Sequence, residues 1–368
     1  MTRRFSRFTA FFLLLPYASA NSAPLPKFAL AQCFASQTKL TPFLGAVLVS
    51  QGSDIFVRTA GTVDGASPVQ RNTPFRLASV GKTLTRIAIG QLVARGEIEL
   101  DAPINRYLPG LSKELGAVTV EQLIQHRGGV TPLLMFTDKT VAVMRGARTA
   151  HDLLPLVVGE PLQFKPGERE DYSNGGYFVL GAIIEAVTHQ TYDNYMRDAL
   201  FRRLGMSSTS LTASPGTAVP ISSFDPSRPE PLPKPQLVAL RSEHGNPAGD
   251  AVSTLDDMRK LGEALYGEKL LPSALKLRLF PRHAEVWRIG QAGGAPGTNT
   301  YFAAMPELKA TVVTLSNYDP PAADLMGSVL ANVVAGKDCK PLSEADRPSL
   351  LKAGTPPPMQ RPAEPPKR

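Results

Sequence analysis

Apolar residues follow two different periods along the chain. Residues 43–50 and 54–61 are short apolar or β-branched runs, split by Gln51-Gly52-Ser53, and this pattern predicts a β-hairpin. Residues 75–78 continue as a short extended approach to Ser79. From 79 to 95 the spacing lengthens: Leu84, Ile87, Ala88 and Leu92 recur at helical intervals until Gly96 ends the run. Further helices are predicted at 120–125, 149–158, 176–188 and 192–204, the third so apolar that it must be buried. Proline-rich loops fill 215–235. Residues 254–265 read as a helix with Thr254 as N-cap ahead of Asp256 and Asp257. Residues 276–280 and 286–289 read as paired strands, 299–304 and 308–316 as a hairpin about Pro306, and 319–334 as a last helix. With a short helix at 24–37, strands lie at both ends and helices lie between them. The expected class is α+β: an antiparallel sheet built from both chain ends, flanked by N- and C-terminal helices, with an inserted helical part. The α/β part would take 24–78 and 250–340, and the helical part 79–249.

The ends of the chain read differently. Arg3, Arg4 and Arg7 precede an apolar stretch at 8–15 and the small residues Ala18-Ser19-Ala20, the pattern of a secretory signal over 1–20. That stretch is too short to span a bilayer, and no later one is long enough. The expected location is therefore exported, periplasmic or extracellular. Residues 341–368 are rich in proline and charge, and disorder is expected there. Export makes the two cysteines, Cys33 and Cys339, either a disulfide closing a very long loop or two unpaired thiols.

Composition narrows the function. The formal charge of +8 is scattered, without Lys/Arg blocks or interleaved aromatics, so no nucleic-acid footprint is present. The five histidines show neither His-Glu-x-x-His nor Cys/His spacing, so no metal or other cofactor is expected. The chemistry concentrates instead at Ser79-Val80-Gly81-Lys82 and Tyr172-Ser173-Asn174. Positions i and i+3 of a helix share a face, so the Lys82 amine can touch the Ser79 hydroxyl. A serine hydroxyl is a weak nucleophile without such a neighbour. Tyr172 offers a phenol to relay a proton, and Asn174 an amide to hold a substrate. Gly81-Lys82-Thr83 is not the end of a phosphate-binding loop, because Arg76 stands where that loop requires glycine.

These motifs, in this order, resemble the serine β-lactamase and penicillin-binding-protein superfamily. The branch is that of class C β-lactamases, D-Ala-D-Ala carboxypeptidases and related esterases. The resemblance runs from about 44 to 334. It includes Phe75-Arg76-Leu77-Ala78, Ile98-Glu99-Leu100-Asp101-Ala102-Pro103, Tyr107-Leu108-Pro109, Gln122 to His126, Pro166-Gly167 and Gly293-Gly294-Ala295-Pro296-Gly297. It implies a serine β-lactamase-like fold and an acyl-enzyme on Ser79, with Lys82 and Tyr172 sharing the proton transfers in an order the sequence leaves open. Asn174 would orient the substrate amide, and the backbone N–H groups of Ser79 and Gly294 would form the oxyanion hole. His126-Arg127-Gly128-Gly129 would be a turn beside the cleft.

One departure stands out. Where the family has Lys-Thr-Gly or His-x-Gly, this chain has Gln291-Ala292-Gly293, and glutamine cannot become cationic. Gln291, Gly293 and Gly294 are candidate substrate-facing residues, with recognition of a substrate carboxylate weakened. The implied function is a serine hydrolase acting on an amide, β-lactam or ester carbonyl of a small-molecule or peptide substrate, with an esterase or carboxypeptidase favoured over an efficient β-lactamase. The alternative is a non-catalytic binder of cell-wall peptides or penicillin on the same fold.

Overall fold

A computed structural model describes residues 24–133, 138–222, 236–237 and 244–346. The signal segment at 1–20, and the tail beyond residue 346, lie outside the described residues. The sheet has five antiparallel strands: β1 (Gly45–Gln51), β2 (Asp54–Ala60), β3 (Ile289–Ala295), β4 (Thr298–Met305) and β5 (Ala310–Ser316), in the order β2-β1-β5-β4-β3. The β1–β5 pairing, with Val47 opposite Thr314, joins the two ends of the chain. All of β4 and β5 is buried, because helices cover both faces. On one face Val47, Val49, Ala303 and Val312 pack under α1 (Lys27–Leu40) and under the last helix, Ala322–Val334. On the other, Ala46, Leu48, Phe302 and Leu315 join a core that continues into α2 (Gly81–Ala94), α3 (Gly175–Thr188) and α4 (Leu255–Tyr266). Thr254 caps α4 by accepting from the Asp257 amide, as its sequence predicts.

Cys33 on α1 and Cys339 are bonded, with Cα atoms 5.6 Å apart. Beside them, the Gln37 side chain both donates to and accepts from the Leu342 backbone. Among the described residues no helix is long and apolar enough to cross a membrane.

Three expectations are corrected. Residues 276–280 are not a strand: 276–279 belong to the helix Ser273–Leu279, and Phe280 follows as its C-cap. Leu-Lys-Leu-Arg-Leu alternates, yet it also places Leu275 and Leu279 four apart, and Leu279 packs onto α2 at Gly90. Lys276 turns inward and donates to the Leu265 and Gly267 carbonyls at the end of α4. This helix therefore packs on α2 at Gly90, about 16 Å along from Ser79 at ~1.5 Å per residue. Residues 286–288 precede the edge strand, which starts at Ile289. The 149–158 segment forms a shorter 3-10 helix, His151–Leu156, in which Pro155 supplies no N–H.

Candidate active site

Ser79 sits in a single 3-10 turn, Ala78–Val80, that feeds α2. Ala78 before it is left-handed, with φ +44. A non-glycine residue there costs about 1–3 kcal/mol and persists only when its surroundings enforce it. The Asp250 amide donates to the Ala78 carbonyl at 3.0 Å, and the Leu77 amide donates to the Ala251 carbonyl at 2.8 Å. Thr300 on β4 donates to the Leu77 carbonyl at 2.7 Å. The turn is thus pinned from the 250–251 segment and from the sheet.

Lys82 lies one helical turn on and is fully buried. Its Nζ is 3.3 Å from Ser79 Oγ, 2.7 Å from Asn174 Oδ1 and 2.5 Å from the Ala248 carbonyl. The rings of Tyr172 and Tyr177 flank it at 4.8 and 5.3 Å. Burial pushes the Lys82 ammonium well below its ordinary range. The nearby charge of Arg86 pushes the same way, and the carboxylate of Asp250 opposes both.

Tyr172 donates to Ser79 Oγ at 2.6 Å. Burial raises its pKa, outweighing the bond to Ser79, so the phenol keeps its proton. His126 brackets this tyrosine: its carbonyl accepts from the Asp171 amide at 2.8 Å, and its Nδ1 accepts from the Ser173 amide at 3.1 Å. The His126 ring stacks on that of Tyr172 at 4.6 Å. Burial holds His126 well below its ordinary pKa, helped by the charge of Arg86. Asn174 directly precedes α3 and donates to the Leu133 carbonyl at 3.1 Å.

The edge strand β3 closes the other side. A Cβ on Gly293 would lie 2.7 Å from Ser79 N, so only glycine lets the strand pass there. Gln291 faces the same way, but its Nε2 donates to the Ser79 carbonyl at 2.5 Å and its residue is 8% exposed. Gly294 stands beside Pro320 on the opposite face. The β3–β4 loop has two residues, so the closing pair Ala295–Thr298 is hydrogen-bonded and the alternation continues to Gly293–Thr300. Gly294 falls in the other class, with its N–H on the free edge of the sheet.

Ser79, Lys82, Tyr172, Asn174, Gln291 and Gly293 therefore meet in one place, with Gly294 on the adjoining strand edge. Arg86, whose charge acts on Lys82 and His126, was missed in the sequence, although its place four residues beyond Lys82 on the same helix is a signal that points to it. His126 as a clamp was not, because its left-handed backbone (φ +57) leaves no sequence signal. Among the described residues no group of three His, Cys, Asp or Glu is placed to hold a metal.

Fold and site together define a mixed helix and antiparallel-sheet protein with a Ser–Lys–Tyr centre at a helix N-terminus. The chain matches the Beta-lactamase family over residues 37–331 and belongs to it. Esterase EstB of Burkholderia gladioli is 32% identical over 176 residues, covering 44% of this chain and 45% of the esterase. Penicillin-binding protein 4* of Bacillus subtilis (strain 168) is 24% identical over 319 residues, 75% of this chain and 68% of that one. A crystal structure of a penicillin binding protein from Bacillus halodurans aligns with a TM-score of 0.67 at 26% identity, covering 82% of this chain and 99% of its own. The chain spans less than half the length of the first curated relatives it matches.

Proposed function

We propose that this protein is an exported serine hydrolase that forms an acyl-enzyme on Ser79 and prefers esters or amides without a carboxylate beside the scissile bond. The observation that carries the reading is the hydrogen-bond order around Ser79 Oγ. Tyr172, which holds its proton, donates to this oxygen. Lys82 Nζ lies 3.3 Å from the same oxygen, and once it has given up its proton it accepts the serine's. A neutral Lys82 keeps two N–H bonds for Asn174 Oδ1 and the Ala248 carbonyl, and turns its lone pair to the serine. Lys82 is thus the base in acylation, and Tyr172 is the relay.

As the Ser79 oxygen bonds to the substrate carbonyl carbon, its proton moves to Lys82. The N–H of Ser79, in a helix's first turn where amides lack intrahelical partners, and the N–H of Gly294 receive the oxyanion. When the bond to the leaving group breaks, the proton passes from Lys82 through Tyr172 to that group. Water then releases the acyl chain by the same route in reverse. Gln291 supports the Ser79 turn, and Asp250 places negative charge near Lys82 and Tyr172. Both features disfavour a substrate carboxylate, which separates an esterase or amidase from a β-lactamase or carboxypeptidase. The Cys33–Cys339 bond supports export.

The test is intact mass and turnover with an activated ester and, separately, a penicillin. An adduct or ester hydrolysis lost in Ser79→Ala supports the reading, while a faster penicillin reaction overturns the ester preference. A folded wild type that gives neither adduct nor hydrolysis leaves a non-catalytic binding protein.

A further inference from the structure

We infer that Asn299 is a positioning residue for the oxyanion hole, a role that rests on the acyl-enzyme reading above. A trans peptide unit is planar, so the carbonyl of Gly293 and the N–H of Gly294 point in opposite directions. Whatever holds the first aims the second. Asn299, on β4 directly opposite Gly294, donates from Nδ2 to the Gly293 carbonyl at 2.8 Å. The residue is 1% exposed, so water does not compete for this bond.

The other half of the same amide is fixed as well. Asn299 Oδ1 accepts from the Ala323 amide at 2.5 Å and the Asp324 amide at 3.0 Å, in the first turn of the Ala322–Val334 helix. The two N–H donors decide the orientation of the side chain, because a flipped amide would set its NH₂ against them. Asn299 therefore clamps the Gly293–Gly294 peptide to a helix end that does not itself touch Ser79. A donor on the Gly293 carbonyl also polarises that peptide and strengthens the Gly294 N–H as a donor. Glycine on both sides of this peptide offers its plane no side-chain restraint, so the Asn299 bond adds to the ladder pairing with Thr300 that also faces the Gly293 carbonyl.

Asn299→Asp separates the two duties of the side chain. Its carboxylate still accepts the two helix N–H bonds but no longer donates to Gly293. The expected result, at a pH where the carboxylate is ionised, is lowered melting because a buried oxygen then faces the Gly293 carbonyl, with unchanged KM for an activated ester and a fall in the acylation rate of the folded protein of about 10-fold or more. Affinity for an arylboronic acid, whose tetrahedral Ser79 adduct places an oxygen in the hole, should fall by a similar factor. If Asn299→Asp does not fold, boronate affinity of the folded fraction of Asn299→Ala, compared with its affinity for an unreactive substrate analogue, gives the same comparison. Wild-type acylation and boronate affinity in these variants would show Asn299 to be a helix cap only. A wild type that never acylates, against a Ser79→Ala control, would remove the acyl-enzyme reading, and this role with it.

Discussion

The Gln291 side chain donates to the backbone carbonyl of Ser79, the nucleophile candidate itself. The two residues are 212 positions apart in sequence, and the bond crosses from the edge strand to the turn that starts α2. The family's third motif places a cation at this position. Here the position is spent on bracing the turn, so the same strand that lines the cleft carries a structural bond in place of a recognition charge.

This relationship predicts the outcome of restoring the cation. Gln291→Lys should raise kcat/KM for a carboxylate-bearing ester relative to its neutral methyl analogue by about 10-fold, one charge-assisted contact being worth about 1.5–3 kcal/mol. Gln291→Ala should lower turnover of both substrates alike, because it loosens the Ser79 turn without adding a charge. An unchanged ratio in the lysine variant would show that position 291 does not face the substrate carboxylate at all.

Lys82 makes the site sensitive to pH in two linked ways. Its pKa in the folded protein lies well below 10.5 through burial, so acylation should rise with pH and level off well below that value. A rate limb centred near 10.5 would show that Lys82 is not the base. For stability, the unfolded chain binds a proton that the folded chain lacks between the lowered pKa and about 10.5. Stability contributed by this group therefore increases with pH across that window, by up to ~1.4 kcal/mol per unit. Chemical denaturation over that range should show the slope in the wild type and lose it in Lys82→Met.

Some of this site could be read from the chain because its parts are local. Ser79 and Lys82 share a helix face, and the 43–61 hairpin announces itself through its Gly-bearing turn. Tyr172 and Asn174 were identified through their order after the serine, and the fold brings both to Lys82 or Ser79. What stayed hidden depends on long-range partners or on backbone conformation. Nothing at Gln291 indicates that its amide ends on Ser79, and nothing at Asn299 indicates that it serves a strand and a helix at once. The alternation at 276–280 fits a strand until the packing of Leu279 against Gly90 is known.

His126 should act on Tyr172 without touching substrate. It grips the backbone on both sides of the tyrosine and stacks on its ring. His126→Ala is expected to lower acylation about 10-fold or more while leaving KM near wild type. Burial keeps its folded pKa well below the ordinary 6.5. Below about pH 6.5 the unfolded chain gains a proton that the folded chain refuses, so stability falls as the pH drops through this range. His126→Phe keeps the stack without the titration, and its acid-denaturation profile should be flatter over the same interval. Identical acid profiles for wild type and His126→Phe would mean that this histidine is not held neutral.

The Cys33–Cys339 bond should matter for stability and not for chemistry. It closes a loop with a sequence separation of 306 residues and ties α1 to the segment after the last helix. Both cysteines lie with the core on one face of the sheet, whereas Lys82 and Gln291 approach Ser79 from the other. Closing so long a loop restricts the unfolded chain, and its loss typically costs about 2–4 kcal/mol. Cys33→Ser with Cys339→Ser is therefore expected to unfold at lower denaturant concentration while keeping wild-type kcat under native conditions. Dithiothreitol should shift the wild type toward the double variant and leave the double variant unmoved. A loss of turnover in the folded double variant would mean that α1 and the C-terminal segment reach the Ser79 turn through the sheet.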